Sequence, residues 1–476
     1  MKLSTLAAAA ALAGLACLAA TSAVACSNTV IYRDVPADGD VPEGGTPEAA
    51  APECSPTGAI TQCTCADGNM GQKTCGPDGT NSLCQCVSTT LDKHTDISKG
   101  KSAFEAETHL AVATDGAIVA AWIAINGGGT SDIGYVFSRD GGASWTKPLA
   151  IGDATNRESS DPVTAVDAAG NFYVTWIAFR RGGGGQASDF VLYVAKAPAG
   201  QDKFDTPVSV DTFTSGDKPW ITVTAAGTIL VTYMASSGGQ SVLYAQRSAN
   251  GAVWTRSTVF TAAGGSQANF IVPCAPKTGA RIWATHLTTE GGGFGQRLHW
   301  SDDDGVTWPA ANTKLFAQNS SVQPATCAAK GSDVWVGYGQ WTKQPAGQDA
   351  PVDEYHVMHT TNGTTLDDVT ASDTATLQQN LGAIVVEDVT GELALTYYAG
   401  DQDGATGSVR SVRSKDLGKT WGKSKPVSAD LNFTANRGSQ KWLGDYIGTV
   451  LRGGALFMVY GENTAQFTHI AFSKTQ

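Results

Sequence analysis

The sequence predicts an all-β protein whose main domain is a seven-bladed β-propeller, and two kinds of repeat support this prediction. An octapeptide of the pattern S-x-D-x-G-x-[ST]-W occurs three times, and a turn glycine between two apolar runs recurs seven times. The composition agrees, because 55 glycines, 12 tryptophans and a hydrophobic fraction of 42% describe a well-packed, loop-rich chain. A six-bladed ring with one inserted hairpin is the alternative to seven blades.

The turn glycines define repeats of 52 to 63 residues, and repeats at a fixed period indicate the architecture of the fold. In each repeat the glycine separates two apolar strands, and a third strand follows after a loop. Four strands in each repeat would make one propeller blade. The last repeat stops after its third strand, so we expect the segment near Leu91 to Ser98 to supply the fourth and close the ring. The turn glycines are Gly116, Gly170, Gly227, Gly279, Gly331, Gly391 and Gly454.

The three octapeptides run from Ser138 to Trp145, from Ser301 to Trp308 and from Ser414 to Trp421. In each of them an aspartate can accept hydrogen bonds from backbone N–H groups and so pin a turn, while the glycine allows a positive φ. The turn aspartates are Asp140, Asp303 and Asp416.

Octapeptides of this kind are Asp boxes, also called BNR repeats, and residues 89–476 resemble the sialidase superfamily of Asp-box propellers. The resemblance implies a site with three arginines on the substrate carboxylate, a Tyr/Glu pair as nucleophile and activator, and an aspartate as acid/base. This sequence departs from that pattern in two respects. The propeller of that superfamily has six blades, whereas seven are predicted here. No Arg-Ile-Pro precedes the first innermost strand, and the stretch from Phe104 to His109 stands there instead. The first carboxylate-binding arginine therefore has no counterpart.

Residues 1–25 are typical of a bacterial secretory signal peptide, with Lys2 before an Ala/Leu-rich apolar run. We expect Cys26 to be the lipid-modified first residue of the mature chain. Removing Cys17 and lipidating Cys26 leaves eight of the ten cysteines, an even number that suits disulfides. Free secretion after cleavage at Ala25 is the alternative. The protein is thus predicted to be an outer-membrane or cell-surface lipoprotein, alternatively a secreted one.

Residues 26–53 are rich in proline and acidic residues and cannot bury a core, which predicts a tether. Residues 54–88 hold one cysteine pattern twice, and a chain this short needs disulfides to be stable. The segment resembles short Cys-rich stretches that follow the tether in myxobacterial surface proteins. A zinc site is the competing interpretation, although an oxidising compartment favours three disulfides of open connectivity. The six cysteines are Cys54, Cys63, Cys65, Cys75, Cys84 and Cys86.

The remaining two cysteines, Cys274 and Cys327, lie five and four residues before their turn glycines. This spacing places both on innermost strands of neighbouring blades. We therefore expect a disulfide between them, with two buried free thiols as the alternative.

Strand direction locates the candidate site at the face where the innermost strands start, opposite the octapeptide turns. Ligands usually enter a concave mouth of this kind. Tyr446 is the candidate nucleophile, assisted by Glu107 or Asp445, and Asp161 or Asp217 is the candidate acid/base. Alternatively, Tyr446 packs the last blade and the acidic residues cap turns.

Aromatic, cationic and imidazole side chains at the same face or in its loops are candidate ligand contacts. Stacking aromatics with polar neighbours suit a sugar or a protein surface. The candidates are His109, Lys218, Trp220, Arg180, Arg181, Arg297, Arg437 and Trp442.

The function predicted first is a surface-displayed propeller that binds a glycan or an extracellular protein at its mouth. The alternatives are an exo-glycosidase of sialidase type with an altered carboxylate site, and a structural or assembly scaffold. A net charge of −12 argues against a nucleic-acid partner. No later apolar run is long enough to span a membrane, so membrane contact is expected through the lipid only. We expect a monomer with no cofactor and no metal site.

Overall fold

The computed structural model describes residues 60–64, 70–74, 93–100, 102, 104–126, 130–182, 186–290, 293–318, 320, 323–340, 354–373, 378–400, 406–428, 431–432, 443–463 and 468–475. The predicted signal peptide and tether lie outside the described residues. So do these predicted lipidation, disulfide and ligand residues: Cys26, Cys54, Cys65, Cys75, Cys84, Cys86, Arg437 and Trp442.

The described part of the Cys-rich segment is one antiparallel hairpin. Strand β1 (Ile60–Thr64), which contains Cys63, pairs with β2 (Met70–Thr74). The next described strand, β3 (Lys93–Asp96), belongs to the propeller.

The described residues from 93 onward form seven antiparallel sheets, which are the blades. Blade 1 comprises β4 (Phe104–Val112), β5 (Ile118–Ile125), β6 (Ser131–Ser138) and β7 (Leu149–Ile151). Blade 2 comprises β8 (Glu158–Val166), β9 (Phe172–Arg181), β10 (Ala187–Ala197) and β11 (Val208–Phe213). Blade 3 comprises β12 (Gly216–Val223), β13 (Ile229–Ser237), β14 (Gln240–Ser248) and β15 (Thr255–Thr261).

The other four blades repeat this order. Blade 4 comprises β16 (Ala268–Cys274), β17 (Ile282–Thr288), β18 (Gly295–Ser301) and β19 (Thr313–Gln318). Blade 5 comprises β20 (Thr326–Lys330), β21 (Asp333–Gln340), β22 (Glu354–Thr360) and β23 (Asp367–Thr370). Blade 6 comprises β24 (Gln378–Val386), β25 (Leu393–Gly400), β26 (Thr406–Ser414), β27 (Lys425–Pro426) and β28 (Leu431–Asn432). Blade 7 comprises β29 (Gly448–Arg452), β30 (Ala455–Asn463), β31 (Thr468–Thr475) and β3.

The innermost strands contact one another in succession around the ring, from β4 through β29 and back to β4. The prediction of an all-β, seven-bladed propeller is therefore confirmed, and the six-bladed alternative is excluded. The prediction that the segment near Leu91 to Ser98 closes the ring is also confirmed, because Lys93–Asp96 pairs with β31 as the outer strand of blade 7. No helix among the described residues is long and apolar enough to cross a membrane.

An apolar layer fills each of the seven junctions between neighbouring blades. Side chains alternate along a strand, so each blade can supply apolar groups to the junctions on both of its sides. In five blades an aromatic residue of the second strand, six positions after the turn glycine, is at most 1% exposed. These residues are Trp122, Trp176, Tyr233, Tyr397 and Tyr460.

The strand order gives the ring two different faces. The strand-start face holds the first residues of the innermost strands and the connections between second and third strands. The strand-end face holds the hairpin turns and the octapeptide turns. A disulfide joins Cys274 to Cys327 across blades 4 and 5, with their Cα atoms 5.8 Å apart.

The octapeptide turns have one hydrogen-bond pattern. Asp140 accepts from the backbone N–H of Ser144 at 2.8 Å and from its hydroxyl at 2.6 Å, while the Gly142 N–H donates to Ser138. Asp303 and Asp416 hold their turns in the same way. These hydrogen bonds lower the pKa of the aspartates, to about 2 for Asp416.

The first octapeptide turn also supports ring closure. Gly142 has a φ of 87° and lies directly against the ring of Phe472 in blade 7, beside Trp145. We expect Gly142→Ala to lower the free energy of unfolding by about 1–3 kcal/mol more than Gly200→Ala. Both glycines have a positive φ, 87° and 82°, so backbone strain is matched, but nothing lies within 4 Å of a Cβ at Gly200. Urea denaturation measures the difference, and equal losses would contradict this packing role.

Candidate functional site

Five innermost strands carry a β-bulge near their first residues, and the bulge re-aims one side chain. The pairing of the first and second strands shifts register there in blades 1, 2, 3, 4 and 6. A bulge of this kind bends the strand and changes where a side chain points. The residues with positive φ at these bulges are Glu107, Asp161, Lys218, Phe270 and Leu381.

The bulge residues occupy one level of the ring. In blades 1 to 4 they lie nine residues before the turn glycine, and Asp445 lies at the same distance before Gly454 in blade 7. Close approach is built into blade 7, because a Cβ at Gly444 would lie 2.5 Å from the backbone nitrogen of Glu107. The chain can therefore bring polar side chains of blades 7, 1, 2 and 3 to one point.

Lys218 is the centre of this group, which we call the Lys218 cluster: Lys218, Glu107, Asp161 and Asp445. The ammonium Nζ lies 2.6 Å from a carboxylate oxygen of Glu107 and 2.5 Å from one of Asp161. It lies 2.5 Å from a carboxylate oxygen of Asp445 as well. All four side chains are at most 4% exposed. Four blades are thus joined by one buried ammonium.

Asp217 and Phe270 complete the surroundings of the Lys218 cluster. Asn269 donates a hydrogen bond of 2.9 Å from its amide to Asp217, and the Lys218 ammonium lies 5.3 Å from the centre of the Phe270 ring. One cation therefore faces three carboxyl groups directly, with a fourth beside it. Buried charges need partners, and the excess of acids here is relieved by protonation.

The pKa shifts show how the excess is relieved. Burial, reinforced by the Asp161 carboxylate, raises the pKa of Glu107 well above its usual range. Burial raises the pKa of Asp217 to about 7, against the opposing effect of the Lys218 ammonium. Burial also disfavours the charge on Lys218, yet the surrounding carboxylates hold its pKa well above the usual value. Lys218 stays charged, and part of the acidic set carries protons near neutral pH.

Tyr446 lies in a small aromatic group with His109 and Trp220. The Trp220 ring is 5.1 Å from the Tyr446 ring and 5.5 Å from the His109 ring. The Tyr446 hydroxyl donates a 3.0 Å hydrogen bond to the carbonyl of Pro162. Burial, followed by the Glu107 carboxylate, raises the pKa of Tyr446 well above its usual value. The phenol is therefore held in its protonated form.

The structure brings together only part of the predicted site. Glu107, Asp161, Asp445 and Lys218 meet directly, and His109, Trp220 and Tyr446 form the adjoining aromatic group. Arg437 and Trp442 lie outside the described residues.

The remaining predicted arginines contact other acids. Arg181 pairs with Glu158 at 2.8 Å, and Arg180 pairs with Asp189 at 3.0 Å on the strand-start face of blade 2. Arg297 pairs with Glu290 on blade 4. Each of these three arginines thus pairs with an acid outside the Lys218 cluster.

Sequence reasoning identified the members of the Lys218 cluster but missed that Lys218 is its centre. The distance of nine residues to the turn glycine was a usable signal, because it places Glu107, Asp161, Lys218 and Asp445 at one level. Sequence reasoning also missed that Asn269 is the partner of Asp217, and that the carbonyl of Pro162 is the acceptor for the Tyr446 hydroxyl. Within the described residues, no group of three or more His, Cys, Asp or Glu is arranged to hold a metal ion.

The raised pKa of Asp217 predicts a pH dependence of stability. Folded Asp217 keeps its proton up to about pH 7, whereas an unfolded aspartate loses it near pH 4, so unfolding releases a proton between these values. The contribution is fully present below about pH 4 and is lost as the pH rises through 7. The difference between the free energies of unfolding of the wild type and of Asp217→Asn should therefore fall as the pH rises, by at most about 1.4 kcal/mol per pH unit.

Urea denaturation at half-unit steps from pH 4 to pH 8 measures this difference. Subtracting the variant removes the contributions of other titrating groups, among them Glu105, whose pKa burial raises to about 7. Asp205→Asn, at an exposed aspartate, is the matched control and should give a flat difference. A difference for Asp217→Asn that is constant or rises with pH would refute the assignment.

Comparisons with known proteins give similarities at low identity. No protein-family model and no curated protein matches the chain. The Hadza microbial sialidase Hz136 is similar at 14% identity and a TM-score of 0.49, over 79% of this chain and 66% of that chain. A Dyadobacter fermentans protein of unknown function is similar at 14% identity and a TM-score of 0.48, over 81% of this chain and 98% of that one.

Trypanosoma rangeli sialidase in complex with the inhibitor DANA is similar at 13% identity and a TM-score of 0.45, over 80% of this chain and 59% of that chain. The chain thus spans less than two thirds of the length of these two sialidases, 66% and 59%. Sialidases are among the solved structures that the chain is similar to. Similarities of this size assign neither site residues nor an activity.

Proposed function

We propose that this propeller is a non-hydrolytic binding module that takes a glycan or an extracellular protein at its strand-start face. The observation that carries the proposal is the ion pairing and burial of the carboxyl groups in the Lys218 cluster. Its three carboxyl groups all contact one ammonium, at 2.5 to 2.6 Å, and are at most 2% exposed. Glycoside hydrolysis needs two carboxyl or equivalent groups placed on either side of a substrate bond. Groups buried around a lysine do not reach a substrate in this arrangement.

Tyr446 supports the same conclusion. A tyrosine nucleophile needs a neighbouring base that takes its proton. Here the phenol donates to the carbonyl of Pro162, and its pKa is raised by burial. The carboxylates that could act as base are engaged by Lys218.

The strand-start face offers a rigid floor with loops of unequal length. The connections between second and third strands run from two residues, 238–239 in blade 3, to thirteen, 341–353 in blade 5. Binding residues are concentrated on loops that a rigid scaffold positions. Arg180, half-exposed on this face in blade 2, supplies one donor suited to carboxylate or carbonyl groups of a ligand.

The proposal includes the predicted export of the chain and its lipid anchor at Cys26. An anchored propeller behind a tether would present the strand-start loops to molecules outside the cell. Free secretion is the alternative. A mass spectrum of the mature N-terminus that shows an unmodified Cys26 would exclude the anchor.

One observation favours the glycosidase alternative. Burial raises the pKa of Glu107 well above its usual range, and a raised pKa is what a carboxyl group needs to act as a general acid. The catalytic roles of Tyr446, Glu107, Asp445, Asp161 and Asp217 therefore stay predictions that one experiment can decide.

The protein is assayed for hydrolysis of a panel of fluorogenic glycosides, sialosides included. In parallel it is screened for binding to a glycan array and to the ectodomains of other proteins. We expect no turnover, and binding that weakens about tenfold in the double variant Arg180→Gln with Arg181→Gln, because hydrogen bonds to charged groups are lost. Arg139→Gln is the matched control, since Arg139 lies on the strand-end face after β6.

Turnover that both Tyr446→Phe and Glu107→Gln abolish would establish a glycosidase and refute the proposal. Absence of turnover and of any binding would favour a structural scaffold.

A further inference from the structure

A concave site lies on the propeller axis and opens at the strand-end face, on the opposite side of the ring from the proposed ligand-binding face. All seven innermost strands line this axial channel, whose volume is about 260 Å³. Its lining begins at His109, Thr164 and Trp220, two or three residues after Glu107, Asp161 and Lys218. The buried Lys218 cluster therefore closes the channel at the strand-start side.

The walls of the axial channel offer main-chain hydrogen-bonding groups. Each innermost strand has a neighbouring strand on one side only, and its other edge faces the axis. A strand edge presents backbone N–H and C=O groups in alternation. Hydroxyl-bearing Thr222 and Thr449 also line it. Walls of this kind suit a molecule with several hydroxyl groups, each of which donates and accepts.

The floor of the channel supplies a directed donor and an aromatic ring. The Nδ1 atom of His109 accepts from the backbone N–H of Thr164 at 3.2 Å and lies 3.1 Å from its hydroxyl. Burial lowers the pKa of His109 to about 4, so the ring is neutral and its proton is on Nε2. No described residue accepts a hydrogen bond from Nε2. The Trp220 ring lies 5.5 Å away, edge-on to the imidazole.

The rim of the channel carries two cations, Arg452 and Lys277. The Nη1 atom of Arg452 is buried and has no hydrogen bond to any described residue. Lys277 is exposed at the same rim, and Asp388 is the acidic residue that lines it. Arg452 lines the channel, and its guanidinium donors suit the acidic group of an anionic ligand.

We propose that the axial channel binds a small hydroxylated anion, of the class of sugar acids and sugar phosphates, through the strand-end face. Arg452 and Lys277 would contact the acidic group, and the channel walls and His109 would contact the hydroxyls. The volume is just below the range of about 300 to 1,000 Å³ for drug-sized ligands, which suits a monosaccharide. This site lies on the opposite face from the proposed function and does not depend on it.

Isothermal titration calorimetry of the full chain with D-glucuronate, D-glucose 6-phosphate, inorganic phosphate and D-glucose tests the proposal. We expect saturable binding of at least one sugar anion and weaker or no binding of phosphate and glucose. Arg452→Gln should weaken the sugar anion about 10- to 100-fold, as expected for lost hydrogen bonds to a charged group. Lys277→Gln should weaken it less, because that ammonium is exposed.

Lys203→Gln is the matched control, since Lys203 is an exposed lysine in the connection between the last two strands of blade 2, on the same face outside the channel. Equal thermal stability of the three variants confirms that each is folded. If glucuronate binds and glucose 6-phosphate does not, the ligands of the channel are sugar acids. If only glucose 6-phosphate binds, they are sugar phosphates.

Three results would overturn the site. The first is no binding of either sugar anion at 10 mM, a concentration on the order of ten times a millimolar Kd. The second is equal affinity for inorganic phosphate, which would show that the hydroxyls are not recognised. The third is a loss in Arg452→Gln no greater than in Lys203→Gln.

Discussion

The buried contact between the Lys218 ammonium and the carboxyl groups of Glu107, Asp161 and Asp445 is the constraint on which the centre of this propeller depends. Apolar layers hold each blade to its neighbours. The Lys218 cluster joins blades 7, 1, 2 and 3 at one point. A buried ion pair of this kind contributes specificity more reliably than stability, because desolvation offsets much of its attraction. We infer that the cluster fixes how four blade starts meet, while burial of apolar groups supplies most of the stability.

The same contact determines what the strand-start face can do. The acidic residues and Tyr446 are the residue types that glycoside chemistry uses, yet their hydrogen-bonding capacity is directed inward. Carboxyl groups that share one buried ammonium are held in place, and a preorganised floor suits recognition by the loops above it. On the other side of the cluster, the axial channel begins where His109 and Trp220 lie. The cluster thus lies between the strand-start face and the axial channel.

The fold could be predicted from the sequence because propeller blades are local units. The turn glycines mark one hairpin per blade, and the incomplete last repeat indicated that residues near Leu91 to Ser98 complete it. For the candidate site, sequence reasoning could predict which residues take part but not how they are arranged. Which of Glu107, Asp161, Lys218 and Asp445 meet depends on bulges and on the curvature of the ring, and both are tertiary properties. The lone Arg452 at the channel rim gave no sequence signal, because an arginine after an innermost strand resembles many surface arginines.

A double-mutant cycle on Lys218 and Asp161 tests the central claim most directly. Lys218→Met alone should cost about 3–5 kcal/mol in the free energy of unfolding, because it leaves buried carboxylates without their cation. Adding Asp161→Asn should remove part of that penalty. The account predicts that the double variant loses less than the sum of the single losses, by about 0.5–3 kcal/mol. Losses that add within about 0.3–0.5 kcal/mol would contradict a Lys218 cluster that acts as one unit.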